Sequence, residues 1–578
     1  MKGNKKIMMK SDIQIAQEAS MQSIDCVFNK LFPTGNIPSN GNIEMYGKYM
    51  GKIPLELIKP YTSYTDKHLI LVTSISPTKS GIGKTTVSIG LNDALRKLKK
   101  NSIAVLREPS LGPCFGMKGG ACGGGYSQIV PMDKINLHFT GDFHAITTAN
   151  NMIAAAIDNY FYQNPEEESK IKNITFRRCL DINDRSLRTI YTTQKYGKLI
   201  QTGFDITPAS ELMAVFCMAR DIDDLRRRIN KIIIAERIDG SFMFCSELGI
   251  TGSIVALLSD AIKPNLVQSL DNNPVIVHGG PFANIAHGCN SVIATRMGLS
   301  LCDYVVTEAG FGSDLGAEKF IDIKCRKNGL CPDVVVLVAT IPGLKNQGGC
   351  TDLSKEDIKS LEIGLKNLGQ HITNIKNFGV RVVVTNNVFD TDTKNEQRIL
   401  ENFCTCRNVK CIKNTSYLNG SDGAIDLAKE VVDIVDNNKK PMLPIFAYHT
   451  LDSIKEKIAD LCKNVYGIDP ANIRYSKDAL KFISRFDRTY ENHEDEFINE
   501  IYEYPICMAK TQYSFSDNPK VIPSVNNNTI FTIDEIKINN GAEFFVVIAG
   551  NMMRMPGLPK EPAAKHIDFV DGKVTGLN

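Results

Sequence analysis

Gly81-Ile82-Gly83-Lys84-Thr85-Thr86 is the run of residues best equipped for chemistry in this chain. It stands between an apolar run, His68 to Ser74, and a helical pattern from Thr85 to Leu98, so the segment reads as strand, loop, helix. In that setting the backbone N–H groups of the glycine turn and the helix N-terminus cradle phosphate. Lys84 reaches the β and γ phosphates, and Thr85 holds Mg²⁺. The pattern assigns ATP binding. Thr78 replaces the first glycine of GxxxxGK[ST], and the competing reading is a plain Gly-rich turn; the strand before and the helix after weigh against it.

A second set follows the apolar run Ser102 to Leu106. It comprises Arg107-Glu108-Pro109-Ser110-Leu111-Gly112-Pro113, then Lys118-Gly119-Gly120 and Gly123-Gly124-Gly125-Tyr126, and it too looks phosphate-binding. An arginine at the carboxyl end of a parallel strand sits where open α/β sheets place ligands, and its planar fork suits carboxylate or phosphoryl oxygens. A structural salt bridge explains Arg107 equally well on spacing alone, and the glycines alone would make a flexible loop.

The elements that must position these residues are legible in further apolar runs: Pro274 to His278, Asp303 to Thr307, Asp333 to Ala339 and Val380 to Thr385. Such runs alternating with helical segments predict an α/β core, a parallel sheet covered on both faces and P-loop NTPase-like in character. Between them, Thr147 to Leu258 is rich in helical spacing, as in Ser210 to Asn230, and reads as a mostly helical insert. The predicted organisation is a nucleotide-binding unit over 1–146 and 259–380, the insert over 147–258, and a C-terminal α/β lobe over 381–578.

The 578 residues exceed one ordinary core, and the hydrophobic content of 43% with 23% charged residues is that of a globular protein. No run approaches the ~18 uninterrupted apolar residues of a membrane span. A formal charge of +3 gives no field that would gather nucleic acid. MKGNKKIMMK has neither the apolar core of a secretory signal nor the Arg and Ser of a transit peptide, and reads as a frayed tail. Sixteen irregularly spaced cysteines favour reduced thiols in a cytoplasm; Cys404, Cys406 and Cys411 lack the paired spacing and fourth ligand of a zinc site.

Several long segments together resemble the formate–tetrahydrofolate ligase family: REPSLGPCFGMKGGACGGGYSQIVPMDKINLHFTGDFHAIT, VHGGPFANIAHGCNS, DYVVTEAGFGSDLGAEKFIDIKCR, CMAKTQYSFS and MPGLPKEPAA. The resemblance implies two steps. Formate attacks the γ-phosphate of MgATP to give formyl phosphate, and N10 of tetrahydrofolate then displaces phosphate, giving 10-formyltetrahydrofolate, ADP and phosphate. Matched by motif, Lys84 and Thr85 fall in the family's ATP loop, and Arg107 with Glu108 in its formyl-phosphate segment. Asp142 and His144, Asn284 and His287, and Gly312 to Asp314 fall in segments resembling site walls. Read without the family, His278 and His287 in their Gly-rich turns are structural.

For the pterin, the resemblance implies stacking on a phenylalanine and a tryptophan. Phe389 matches the first, and Tyr417, in SYLNGSDGA, stands where the family has tryptophan; this chain has none. Other departures are Ile82 where the ATP loop usually has Glu, Pro342 and Gln347 in a segment usually reading RALKMHGG, and Asn551 where an acid is common. They motivate an alternative, a weakened paralogue that binds nucleotide or folate without efficient formyl transfer. The resemblance further implies a homotetramer activated by a monovalent cation, potassium or ammonium.

Overall fold

The apolar runs become strands of one 12-stranded sheet. A computed structural model describes residues 10–577 except 33–34, 36, 40, 79–80, 118–119, 194–198, 438–442, 488–494 and 522–528. The tail expected at MKGNKKIMMK, save Lys10, and Lys118-Gly119 lie outside the described residues. The strands are β1 (Glu44–Tyr46), β2 (Met50–Lys52), β3 (His68–Ser74), β4 (Ser102–Leu106), β5 (Asn265–Ser269), β6 (Pro274–Val277), β7 (Tyr304–Glu308), β8 (Val334–Ala339), β9 (Arg381–Asn387) and β10 (Cys411–Asn414). Their spatial order is β1-β2-β5-β6-β4-β7-β3-β8-β9-β10, with a hairpin of Gly123–Gly124 and Ser127–Val130 attached to β5.

From β6 to β10 every neighbouring pair is parallel. Side chains alternate between the faces of a strand, yet every residue of β4, β7 and β8 is buried, so both faces are covered. Their β-branched content (SIAVL, YVVTE, VVVLVA) suits strands packed on two sides. Helix α1 (Lys84–Lys97) follows β3, α3 (Ile341–Gln347) follows β8, and α4 (Ile358–Asn377) runs back toward β9. The sheet does not stop at residue 380. β9 and β10 are its last two strands, because Val380 to Thr385 pairs in parallel with β8. The separate C-terminal sheet begins only at Ile473–Tyr475, in the order Ile473–Tyr475, Phe531–Asn539, Phe544–Ala549, Ile506–Ala509.

The stretch 147–258, read as mostly helical, also carries short strands. Helices α2 (Asp142–Gln163), Glu211–Met218, Ile222–Asn230 and Thr251–Leu258 are accompanied by short strands at Ile171–Ile174, Arg178–Leu180, Ile190–Thr193, Leu199–Thr202, Phe204–Ile206, Ile233–Arg237 and Phe242–Phe244. Strands such as IKNI and RCL are three or four residues long and partly exposed, so they leave no apolar run to find. Their core is shared with Phe544, Val546 and Ile548 of the C-terminal sheet. No helix among the described residues is long and apolar enough to cross a membrane.

Where α3 meets α4 the backbones touch. A Cβ on Gly364 would lie 1.8 Å from the Leu344 carbonyl oxygen, and one on Gly348 the same distance from that of Ser360. Gly364→Ala should force the helices apart and destabilise the protein by about 2 kcal/mol or more, the usual scale of overpacking. A lower urea midpoint would register this; an unchanged midpoint would show that the contact yields freely.

Candidate active site

Parallel neighbours end on the same edge of a sheet, so the loops after β3, β4 and β7 emerge side by side, with β7 in the middle. Lys84 is the first residue of α1, and Gly83 caps the helix in the left-handed region at φ 82°. A side chain there is excluded twice, by that φ and because its Cβ would come within 2.4 Å of Asn387 Nδ2. Asn387, the last residue of β9, donates to the Ile82 carbonyl oxygen at 3.1 Å and props the loop. Gly81 is also left-handed, at φ 79°, with open space where its Cβ would be. Thr86 lies one residue into the buried face of α1, and Lys84 Nζ donates to Ser74 Oγ at 3.3 Å.

The residue that joins the two sequence motifs is Glu308, at the end of β7 and 3% exposed. Thr85 Oγ1 donates to Glu308 Oε2 at 2.9 Å, and the other carboxylate oxygen lies 4.0 Å from Arg107 Nε. Arg107 Nη1 also donates to the Pro281 carbonyl oxygen at 3.2 Å, and the side chain lies over Gly310, where a Cβ would be 2.9 Å from Nη1. Both readings of Arg107 thus meet in one geometry, a salt bridge that leaves part of the guanidinium open at the sheet edge. Sequence reading passed over Glu308; a carboxylate closing an apolar strand run at the ligand edge was the available signal. Thr85 Oγ1 and the Glu308 carboxylate form a pair of hard oxygens at the glycine loop, a donor set that suits Mg²⁺.

Glu108 and Asp142 belong to a different cluster. Glu108 turns away from Arg107 and is 6% exposed; Asp142 opens α2 at 1%. Lys52, from β2, sets its Nζ 2.5 Å from Asp142 Oδ1, and Asn265 Nδ2 donates to Asp142 Oδ2 at 2.7 Å. Burial, then the Asp142 charge, hold the Glu108 carboxyl well above its ordinary value, with Lys52 opposing. Lys52 was not singled out from the sequence because it lies in a short strand far along the chain from both carboxylates.

Among the other candidates, His278 and His287 are fully buried. His278 sits 2.6 Å from Ser291 Oγ and 2.8 Å from the Ala261 carbonyl oxygen. Burial lowers its pKa to about 4, and burial with Lys324 and Lys319 lowers that of His287 to about 3, so both are neutral. His144 is exposed and Asn284 half-buried. The glycine run at 123–125 is not a phosphate cradle. Gly123 and Gly124 form a hairpin strand, and Gly124 and Gly125 lie against Tyr417: Cβ atoms there would approach it to 3.0 and 2.0 Å. Phe389 and Tyr417 follow the ends of adjacent β9 and β10, 44% and 37% exposed, with no ring contact between them among the described residues. Tyr417 Oη donates to Asp12 Oδ1 at 3.1 Å.

Two departures noted in the sequence prove to be neighbours. Ile82 is 2% exposed, and a Cβ on Gly343, beside Pro342 in the first turn of α3, would be 3.0 Å from Ile82 Cδ1. The apolar side chain at 82 therefore packs on the helix start that carries the proline. Gln347, at the other end of α3, donates to the Tyr513 carbonyl oxygen at 3.2 Å, and Asn551 is exposed.

A family model described as formate–tetrahydrofolate ligase matches residues 10–578. A formate–tetrahydrofolate ligase of Bacteroides thetaiotaomicron is 50% identical over 576 residues, covering 99% of this chain and 100% of that protein. One from Bacteroides fragilis is 50% identical over 578 residues, and one from Porphyromonas gingivalis 48% over 576, each with the same coverage.

The elevated Glu108 carboxyl makes a prediction about stability. The folded chain keeps this proton where the unfolded chain has lost it, so its contribution is full below pH 4.5, the ordinary value, and is lost as pH rises through the folded value. Glu108→Gln abolishes that titration and offers Asp142 a donor. Its thermal midpoint should match the parent at about pH 4 and exceed it at about pH 8; equal midpoints at both would show that Glu108 is charged in the folded protein.

Proposed function

The chain belongs to the formate–tetrahydrofolate ligase family and is an enzyme of that class, and from this we propose how its residues divide the work. The reading is ATP-dependent ligation of formate to tetrahydrofolate through formyl phosphate, on a P-loop NTPase-like core. What supports it most directly is the chain Thr85–Glu308–Arg107 across the adjacent ends of β3, β7 and β4. It sets the proposed nucleotide loop and the arginine on the two oxygens of one carboxylate.

In the first step a formate oxygen attacks the γ-phosphorus of ATP. The O–P bond forms as the bond to the β-phosphate oxygen breaks, and ADP leaves. Phosphoryl transfer is mainly positioning and charge neutralisation. Lys84 and the N–H groups of Gly81, Ile82, Gly83, Thr85 and Thr86 hold the phosphates, and Arg107 neutralises the transferring group and orients formate. Thr85 and Glu308 would hold Mg²⁺, which supplies further charge neutralisation when bound. In the second step N10 of tetrahydrofolate attacks the formyl carbon, the C–O bond to phosphate breaks, and the amine proton passes to solvent or to the departing phosphate. Glu308 keeps Arg107 aimed through both steps. Glu108 and Asp142 act from behind, shaping the loop on which Arg107 stands.

The folate half rests on Phe389 and Tyr417, with the pterin stacking on the exposed part of these rings. The same reading includes a homotetramer and a monovalent cation, neither of which any step above requires, and a cytoplasmic location in keeping with sixteen free thiols. The alternative of a weakened paralogue gains no support, since Lys84, Thr85 and Arg107 are present and Ile82 is accommodated by packing. The deciding experiment is ADP release by the purified protein. Release that requires both formate and tetrahydrofolate supports the reading; release indifferent to either overturns it.

Arg107→Ala should reduce formyl transfer about a hundredfold or more with nucleotide affinity nearly unchanged. An equal loss of ATP affinity, measured by calorimetry, would make Arg107 a nucleotide ligand instead. Tyr417→Trp enlarges the stacking face and should lower the tetrahydrofolate KM several-fold, corresponding to about 1 kcal/mol, with little change in kcat. An unchanged KM would remove Tyr417 from the pterin site.

A further inference from the structure

Helix α4 carries two polar side chains one turn apart on its buried face, Asn367 at 2% and His371 at 0% exposure. Both reach Ser76, two residues beyond β3 at the start of the nucleotide loop. The Ser76 backbone N–H donates to His371 Nε2 at 2.9 Å, and Asn367 Nδ2 donates to Ser76 Oγ at 2.9 Å. On the other side of the imidazole, Nδ1 lies 2.7 Å from Ser313 Oγ. A backbone N–H can only donate, so Nε2 is the acceptor; the neutral ring then carries its proton on Nδ1 and donates to Ser313. Burial favours that neutral form and lowers the His371 pKa to about 4.

Ser313 ends the short segment that begins at Glu308. Within it Phe311 is left-handed at φ 59°, a conformation a bulky residue holds only when its surroundings enforce it. Ser74 Oγ donates to the Phe311 carbonyl oxygen at 3.1 Å, and a Cβ on Gly312 would lie 3.2 Å from His371 Cε1. The next residue, Asp314, forms a fully buried pair with Lys510 at 2.8 Å, and the Phe515 ring packs 4.7 Å from the imidazole. His371 therefore stands at a joint between the loop that carries Lys84 and Thr85, the segment that carries Glu308, and the C-terminal stretch 510–515.

We propose that His371 is a positioning residue for the reaction, setting the nucleotide loop against the Glu308 segment by accepting from Ser76 and donating to Ser313. This rests on the ligase reading, since what is positioned is the Thr85–Glu308–Arg107 chain. Its two nitrogens have separable duties: Nε2 holds the loop that binds nucleotide, and Nδ1 holds the segment whose carboxylate aims Arg107.

Two isosteric substitutions separate them. In His371→Asn the amide nitrogen replaces Nδ1 and the Ser76 contact is lost; in His371→Gln the amide oxygen replaces Nε2 and the Ser313 contact is lost. The loss of one hydrogen bond corresponds to about a tenfold effect. His371→Asn should weaken MgADP binding about tenfold by calorimetry. His371→Gln should leave that affinity within about twofold while lowering kcat for formate-dependent and tetrahydrofolate-dependent ADP release about tenfold. Ser313→Ala, a small change made from the other partner, should reproduce His371→Gln and covers the case in which a histidine variant fails to fold. The proposal is overturned if the two histidine variants change affinity and kcat alike, or if Ser313→Ala matches the parent in both. A parent with no formate-dependent and tetrahydrofolate-dependent release would defeat the ligase reading, while the calorimetric difference between His371→Asn and the parent would still decide the joint.

Discussion

Much of this molecule follows from the rule that parallel strands present their carboxyl ends on one edge. β3, β7 and β4 lie side by side, and each ends in a residue or loop with a charge or hydroxyl to place. Thr85 and Arg107 are far apart in the chain's logic, one after a strand that precedes a helix and one after a strand that precedes a loop. Glu308, at the end of the strand between them, meets both, since a carboxylate accepts from a hydroxyl and attracts a guanidinium. At 3% exposure the carboxylate is little screened, and removing either partner would leave it poorly compensated.

How much of this was legible beforehand depends on which physical signal each feature leaves. The strands of the parallel sheet are buried on both faces, so they appear as unbroken apolar runs, and the runs at His68, Ser102, Asp333 and Val380 lie within about a residue of the strands formed. The turn at 81–83 and the helix start at Lys84 were legible because glycine at positive φ and a helical pattern after it are demanded by geometry. Lys52, Asn387 and His371 were not, because each acts through a partner 90 to 305 residues away and nothing local marks it, while Glu308 left only the weak mark of a carboxylate closing an apolar run. The glycine run at 123–125 is ambiguous for a related reason: glycine signals close approach but not what approaches, and here it is the Ser127 carbonyl at Gly123 and the Tyr417 backbone and ring at Gly124 and Gly125. The short strands between 171 and 244 left neither run nor alternation. The last strand of the sheet, CIKN, is polar and partly exposed and so leaves no apolar run.

The departures from the family pattern are informative in the same way. Ile82 and Pro342 read separately as two losses, one of charge and one of a helix residue. In three dimensions they are one apolar contact between the nucleotide loop and the first turn of α3, where proline is tolerated because the N–H it lacks has no helical partner.

Tyr417, just after β10, reaches back to the start of the described chain. Its hydroxyl reaches Asp12, as does the backbone N–H of Gly125, so the ring is fastened to the first helix, Asp12–Gln17. The two residues are 405 apart in sequence. A ribosome making this protein emits Asp12 early and must hold it waiting until nearly three-quarters of the polypeptide has followed before the aromatic platform can close. That closure is therefore a late event in biogenesis, fastening the first helix to a residue made 405 positions later.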